Sequence, residues 1–225
     1  MTISIIIPTY NEELILTENK SCFKDLSKYG EVIFVDGKSS DKTVNLAKDL
    51  GKVIMSPKCR AIQMNMGARA AKGEALLFLH ADTMVEGKTI AKIAYTLNKK
   101  KIIGGCLIHV YKPGSPIFKF IAFTGNLRAR LTKIFYGDQG IFVRKDIFEK
   151  IGGFPDVKIC EDILFSRKLR ENGKTRVLPY YIYCSPRRWA KGGVLKTFLI
   201  NFKICFRMFR GGNLDDLATA YKDIR

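Results

Sequence analysis

Ser4-Ile5-Ile6-Ile7-Pro8-Thr9-Tyr10-Asn11-Glu12-Glu13 and, downstream, Phe34-Val35-Asp36-Gly37-Lys38-Ser39-Ser40-Asp41-Lys42-Thr43 follow one plan. Each begins as an apolar β-type run, stops at a polar loop and turns helical, so two strand ends carry polar side chains next to each other. The run from Ile3 to Ile7 is β-branched almost throughout, as a strand covered on both faces requires. In an open α/β sheet, ligands bind in the crevice at the carboxyl ends of the strands. The polar residues of these two loops are therefore the first candidates for a site.

Outward from these strands the pattern keeps alternating. Glu12 to Tyr29 has helical spacing at Leu14, Leu16, Phe23 and Leu26, and Asp41 can cap a helix that runs to Leu50 and ends at Gly51. Val53 to Met55 reads as a third strand, the Ala- and Met-rich Ala61 to Ala71 as a helix lying close on a sheet, and Ala75 to Leu79 as a fourth strand. The βαβαβαβ order predicts an α/β protein with a doubly wound, mostly parallel sheet. Further on, Ile102 to Tyr111 and Gly140 to Val143 read as strands, Pro116 to Phe135 as an amphipathic helix broken near Gly125, and Glu161 to Asn172 as a helix.

Val194 to Phe209 carries Leu195, Phe198, Leu199, Phe202, Cys205, Phe206 and Phe209 along one face, with Lys196, Lys203, Arg207 and Arg210 opposite or flanking. The segment is too short and too charged to span a bilayer. A helix docked on the domain and a helix lying on an anionic membrane surface both fit it.

Composition narrows the classes. At 225 residues, 47% of them hydrophobic, the chain can bury a full core as one domain, 1-225, and no Pro/Ser/Gly-rich linker divides it. Ile3 to Ile7 is too short for a signal-peptide core and no basic stretch precedes it. Cys22, Cys59, Cys106, Cys160, Cys184 and Cys205 show no CxxC or zinc-type spacing, which suits reduced thiols in a cytoplasmic protein. The net charge of +18 fits nucleic acid, anionic lipid or a nucleotide diphosphate as partner, or a solvated Lys-rich surface. No recognised nucleic-acid module is visible, so no nucleic acid is expected.

Taken with Leu79-His80-Ala81-Asp82-Thr83, Gly137-Asp138-Gln139 and Glu161-Asp162, the two opening loops resemble the catalytic domain of family 2 glycosyltransferases, from about Ile3 to about Trp189. The string Arg60-Ala61-Ile62-Gln63-Met64-Asn65-Met66-Gly67 ahead of the Leu-His-Ala-Asp-Thr motif resembles one subgroup of that family. The resemblance implies a GT-A fold: a nucleotide-binding half over about 1–100, a mixed acceptor-binding half over about 101–189, and C-terminal helices over about 190–225. It also implies inverting, single-displacement transfer from a nucleotide-sugar donor, with Mg²⁺ or Mn²⁺ as cofactor.

The resemblance assigns roles residue by residue. Pro8, Tyr10 and Glu12 border the base and ribose, with Ser39 beside them, and Asp36 accepts a hydrogen bond from the base. A carboxylate there favours a UDP-type donor, because uracil N3 carries a proton. The alternative is that Asp36 and Asp41 shape turns and a helix cap. Arg60 and Gln63 share a helical face that suits a ribose or phosphate, although a small-residue helix packed on the sheet explains the same string. Asp82 is the metal ligand; His80 stands where the common Asp-x-Asp element has its first acid, and is read as structural or nucleotide-facing.

Glu161-Asp162 supplies the catalytic pair, with Asp162 as general base, and a helix N-terminus favours its ionised form. Ordinary acidic enrichment in a first helical turn is the bland reading. Asp138 and Gln139 face the acceptor, and Arg187, Arg188 and Trp189 lie near the diphosphate or acceptor on a late loop, unless the Trp is a surface stack.

Two further readings stay open. A polyprenyl-phosphate sugar synthase on the inner face of the membrane would use Arg128, Arg130 and the late basic helix to attract a lipid-linked acceptor. A non-catalytic basic binding module is opposed by the joint presence of Asp36, Asp82 and Asp162. A nicotinamide-dependent dehydrogenase is disfavoured, because Pro8-Thr9-Tyr10-Asn11 replaces the glycine-rich turn that such a fold needs.

Overall fold

The computed structural model describes residues 1–99 and 101–210. Its strands are β1 (Ile3–Thr9), β2 (Glu31–Asp36), β3 (Lys52–Met55), β4 (Ala75–Phe78), β5 (Thr83–Val85), β6 (Gly104–Tyr111), β7 (Ile141–Arg144) and β8 (Thr175–Cys184). The helices are α1 (Glu13–Glu18), α2 (Lys20–Leu26), α3 (Thr43–Lys48), α4 (Arg60–Ala70), α5 (Gly87–Asn98), α6 (Pro116–Thr132), α7 (Lys145–Lys150), α8 (Glu161–Glu171), α9 (Arg187–Gly192) and α10 (Val194–Phe209), with a 3-10 turn at Gly137–Gln139.

The strands form one sheet in the order β3-β2-β1-β4-β7-β6-β8-β5. The first four are parallel, as the βαβ order predicts, and β7 joins β4 antiparallel. The fold is the mixed α/β arrangement of GT-A proteins.

Burial on both faces explains the opening run. Ile3, Ile5 and Ile7 pack on one side of the sheet with Phe23, Phe34 and Ile93 from α2, β2 and α5. Ile6 packs on the other side with Ile33, Val35, Ala61, Met64 and Ala68. At about 25 cal/mol per Å² of apolar surface removed from water, two filled faces hold this strand in the centre of the sheet.

The structure departs from sequence expectation in three places. The helix expected over Glu12 to Tyr29 is interrupted at Asn19, whose backbone leaves the helical region (φ −109°, ψ 17°) and whose side-chain amide donates to the Ile15 carbonyl at 3.0 Å. Helix α6 runs unbroken through Gly125, where a Cβ would lie 2.7 Å from His109 Cε1; this glycine marks close packing rather than a break. Strand β8 escapes sequence notice because Pro179 argues against a central strand. The irregularity absorbs it: between the Cys106–Val177 and Ile108–Tyr181 pairs, β6 advances two residues while β8 advances four.

Among the described residues no helix is long and apolar enough to cross a membrane. No disulfide joins the described cysteines, and burial pushes the Cys106 and Cys184 thiols up, leaving them inert. Cys205 lies outside the described side chains.

Candidate active site at the carboxyl ends of the parallel strands

The loops after β1 and β2 are laced together by the polar residues that drew attention in the sequence. Asn11 N–H donates to Ser39 Oγ at 2.8 Å, and Asn11 Oδ1 accepts from Ser40 N–H at 2.9 Å. Glu12 N–H donates to Thr43 Oγ1 at 2.7 Å, and Glu13 N–H to Asp41 Oδ2 at 3.2 Å. Asn11 (φ 52°) and Lys38 (φ 67°) adopt the left-handed conformation that lets each loop turn so tightly.

Asp36 is fully buried and accepts from Ser39 N–H at 2.7 Å, Ser39 Oγ at 2.6 Å and Thr9 Oγ1 at 3.1 Å. Its carboxylate presents no surface and organises the turn. Asp41 likewise accepts from Thr43 N–H at 2.9 Å and shapes the entry to α3.

Gln63 is held by the scaffold. Its side chain is buried, and its amide donates to Thr9 O at 2.8 Å and Val35 O at 2.7 Å, stapling the ends of β1 and β2. Gln63→Ala should therefore lower stability by about 2 kcal/mol in urea unfolding, the order expected for losing a buried, doubly bonded amide. A direct nucleotide ligand would instead lose UDP affinity at unchanged stability.

The donor-side rim is half-open. Pro8 is half-buried, and Tyr10 lies under Lys58 Nζ, 3.8 Å from the ring centroid. Arg187, at the start of α9, reaches Glu12 Oε2 at 3.6 Å and Asp82 Oδ2 at 3.8 Å. The structure thus brings Arg187 to Glu12 and Asp82 together. Asp82 sits on a turn closed by Thr83 N–H and Oγ1, which donate to His80 O at 3.1 and 2.8 Å. The Arg188 side chain lies outside the described residues.

Opposite stands the Glu161-Asp162 pair, opening α8. Arg60 Nη1 lies 3.2 Å from Glu161 Oε1, and the Glu161 side chain is only 3% exposed, so that carboxylate is taken up in an ion pair. Asp162 accepts from Gly137 N–H at 2.7 Å (Oδ2) and from Ile163 N–H at 2.8 Å (Oδ1). Burial, followed by the neighbouring Glu161 charge, pushes Asp162 up to about 6, against the pull of the Gly137 N–H and Arg60. The helix terminus alone favours a fully ionised Asp162; desolvation outweighs it here. Asp162 borders a small cavity with His80, Gly137 and the apolar Met64, Phe78 and Phe154. A Cβ on Gly137 would lie 2.6 Å from His80 Nε2, so only glycine lets this wall close on the histidine.

The remaining expected acceptor residues divide. Gln139 is fully buried: its Oε1 accepts from Tyr136 N–H at 3.1 Å and Arg128 Nη2 at 3.2 Å, and its Nε2 donates to Asn126 Oδ1 at 3.4 Å. Trp189 Nε1 donates to the Tyr111 hydroxyl at 3.0 Å, in a small cluster with Ala122 and Cys184. Both are hydrogen-bonded within the scaffold. Asp138 differs: its Oδ1 is buried with no hydrogen-bond partner among the described residues, a costly state that a bound ligand would relieve. Sequence reasoning missed Asn11 and Gly137. Asn following a strand-end Tyr signals the first through its tolerance of positive φ, whereas nothing local signals that the Gly137 N–H meets Asp162.

For a divalent ion, no group of three or more His, Cys, Asp or Glu side chains among the described residues could hold it. The donor set is one carboxylate, Asp82, which suits Mg²⁺ or Mn²⁺ only when phosphate oxygens and water complete the shell.

The family model described as Glycosyl transferase family 2 matches residues 4–152. No curated protein matches the chain by sequence. Among solved structures, the chain is similar to the mannosyltransferase PcManGT from Pyrobaculum calidifontis, in complex with GDP-Man and Mn²⁺ (TM-score 0.64, 24% identity, 81% of this chain and 56% of that one). It is also similar to S. aureus TarS 1-349 in complex with UDP-GlcNAc (TM-score 0.61, 22% identity, 82% and 58%). A third is GalNAc-T7 with UDP, GalNAc and Mn²⁺ (TM-score 0.62, 18% identity, 82% and 44%). The chain spans about half the length of these structures.

Proposed function

Because the chain belongs to glycosyl transferase family 2, we propose that it moves a sugar from a nucleotide diphosphate sugar to an acceptor hydroxyl with inversion at the anomeric carbon. One observation carries the reading: both adjacent carboxylates line the cavity, but Glu161 is paired with Arg60, whereas Asp162 is raised to about 6 by burial and by the Glu161 charge. A carboxylate with a pKa just below neutral is a competent general base at pH 7. The acceptor oxygen attacks the anomeric carbon as the bond to the diphosphate oxygen breaks. The hydroxyl proton passes to Asp162, and the nucleoside diphosphate leaves with the bonding pair.

Glu161 acts as a positioning residue, holding Arg60 and raising Asp162. Asp138, with its unpartnered Oδ1, accepts from an acceptor hydroxyl. Asp82 would hold Mg²⁺ or Mn²⁺, which supplies positive charge to the diphosphate. Arg187 is a further cation for that diphosphate, and binding there exchanges its contacts with Glu12 and Asp82 for phosphate oxygens.

The donor is read as UDP-type. In this reading uracil N3–H takes the place at Asp36 that the Ser39 hydroxyl holds. Asp36→Asn should weaken UDP binding several-fold in calorimetry. Preference for GDP over UDP in the unmodified protein overturns this base assignment. A thermal-shift series with UDP-, GDP- and dTDP-sugars, with and without Mn²⁺, tests the donor class as a whole, because specific binding raises apparent stability by mass action. A lipid-linked acceptor is a second reading, favoured by the absence of any Asp or Glu between Lys112 and Gly137 and between Ser185 and Gly212.

A further inference from the structure

Helix α6 is apolar on two sides and buries only one of them. The side it turns to the sheet is made of Ala122, Asn126 and Ala129, with Gly125 beneath the His109 ring. Phe118 and Ile121 pack on the Tyr111 cluster, but five large apolar side chains point away: Ile117, Phe120, Phe123, Leu127 and Leu131 are all exposed, Phe120 at 66%, Phe123 at 63% and Leu131 at 74%. At about 100° per residue these five fall within an arc of about 120°. Single exposed apolar residues are ordinary on a protein surface, but a contiguous stripe marks a surface that is covered in use.

The charge around the stripe selects its cover. Lys119 and Arg130 lie along one edge and Lys133 follows the C-terminal end. A second copy of the chain would set these cations against their own kind, and an acidic surface without hydrocarbon would leave five large side chains wet. An anionic bilayer answers both. We propose that α6 seats the protein on an anionic lipid membrane, its stripe at the boundary between head groups and acyl chains and Lys119, Arg130 and Lys133 among the phosphates.

Helix α6 leads directly into the Gly137–Gln139 turn, and Arg128 and Asn126 on its inner side hydrogen-bond Gln139. The helix on the membrane is thus the one that carries the Gly137 N–H to Asp162. That the membrane delivers the acceptor rests on the transferase reading; the membrane contact itself does not.

The test is sedimentation of the full chain with extruded vesicles, phosphatidylcholine alone or mixed with phosphatidylglycerol, with no sugar nucleotide present. The chain should bind the mixed vesicles, and Phe120→Ser/Phe123→Ser should weaken that binding about tenfold or more. Lys119→Glu/Arg130→Glu should weaken it by a similar order. Both variants should melt within a few degrees of the unmodified chain and bind UDP as it does, so that failure of the lipid proposal and failure of the transferase reading are separately visible. Helix α10 also exposes Phe198 and Leu199, so Phe198→Ser/Leu199→Ser is the comparison. The proposal is overturned by absence of vesicle binding, by undiminished binding of Phe120→Ser/Phe123→Ser, or by loss confined to the α10 variant. It is equally overturned if Phe120→Ser/Phe123→Ser converts a lipid-free dimer into a monomer.

Discussion

Asp162→Asn should lower the transfer rate at least a hundredfold while leaving nucleotide affinity nearly unchanged. General-base assistance is worth about 10²–10⁴ in rate, and it acts on the acceptor in the transition state rather than on the bound donor. Asparagine keeps one acceptor oxygen for Gly137 N–H and gives up the weaker, adjacent-residue contact with Ile163 N–H, where its amide NH2 cannot accept. In the unmodified protein the rate should fall with unit slope as pH drops through about 6, where Asp162 becomes protonated.

Stability provides an independent reading of the same group. The native state holds the Asp162 proton more tightly than the unfolded chain, whose carboxyl titrates near about 4. The ionised form therefore costs stability, with no cost below about pH 4 and the full cost above about pH 6. The effect of Asp162→Asn on the melting temperature should consequently be more favourable at pH 7 than at pH 4, because the variant escapes the cost of ionisation at pH 7. Near-normal transfer by Asp162→Asn, together with loss of transfer in Asp138→Asn, would move the base to Asp138.

Asp82→Ala should abolish the gain in UDP affinity that Mn²⁺ confers, by about tenfold or more in calorimetry, while binding without metal changes little. A single carboxylate joined by phosphate oxygens is a weak ion site until the nucleotide is present, so metal and nucleotide should bind with positive coupling. Removing Asp82 also takes one anion from Arg187, which keeps Glu12 at 3.6 Å. His80→Ala is expected to spare the metal effect, because His80 Nε2 packs against Gly137 on the Asp162 side of the cleft. UDP binding and turnover indifferent to Mn²⁺ or Mg²⁺ in the unmodified protein would remove the metal from the mechanism.

The amino-acid sequence by itself determined the parallel core. A strand covered on both faces must be apolar without alternation, and the helices between such strands show their own period, so β1 to β4 were legible from residues that are neighbours in the chain. The order of short motifs carried the family in the same local way, and His80 and the Glu161-Asp162 pair line one cavity beside the end of β4.

What each polar residue does there was decided only by tertiary structure. Gln63 and Gln139 are of a kind that binds ligands, but main-chain and side-chain groups brought from elsewhere take up their hydrogen-bonding capacity inside the protein. Asp162 is ordinary as a first-turn acid; burial beside Glu161 and the Gly137 N–H, 25 residues away in the chain, make it a base. The outward apolar face of α6 has the same origin. A helical period shows that a stripe exists, but which stripe meets the sheet depends on the space beside His109, and only small residues fit there.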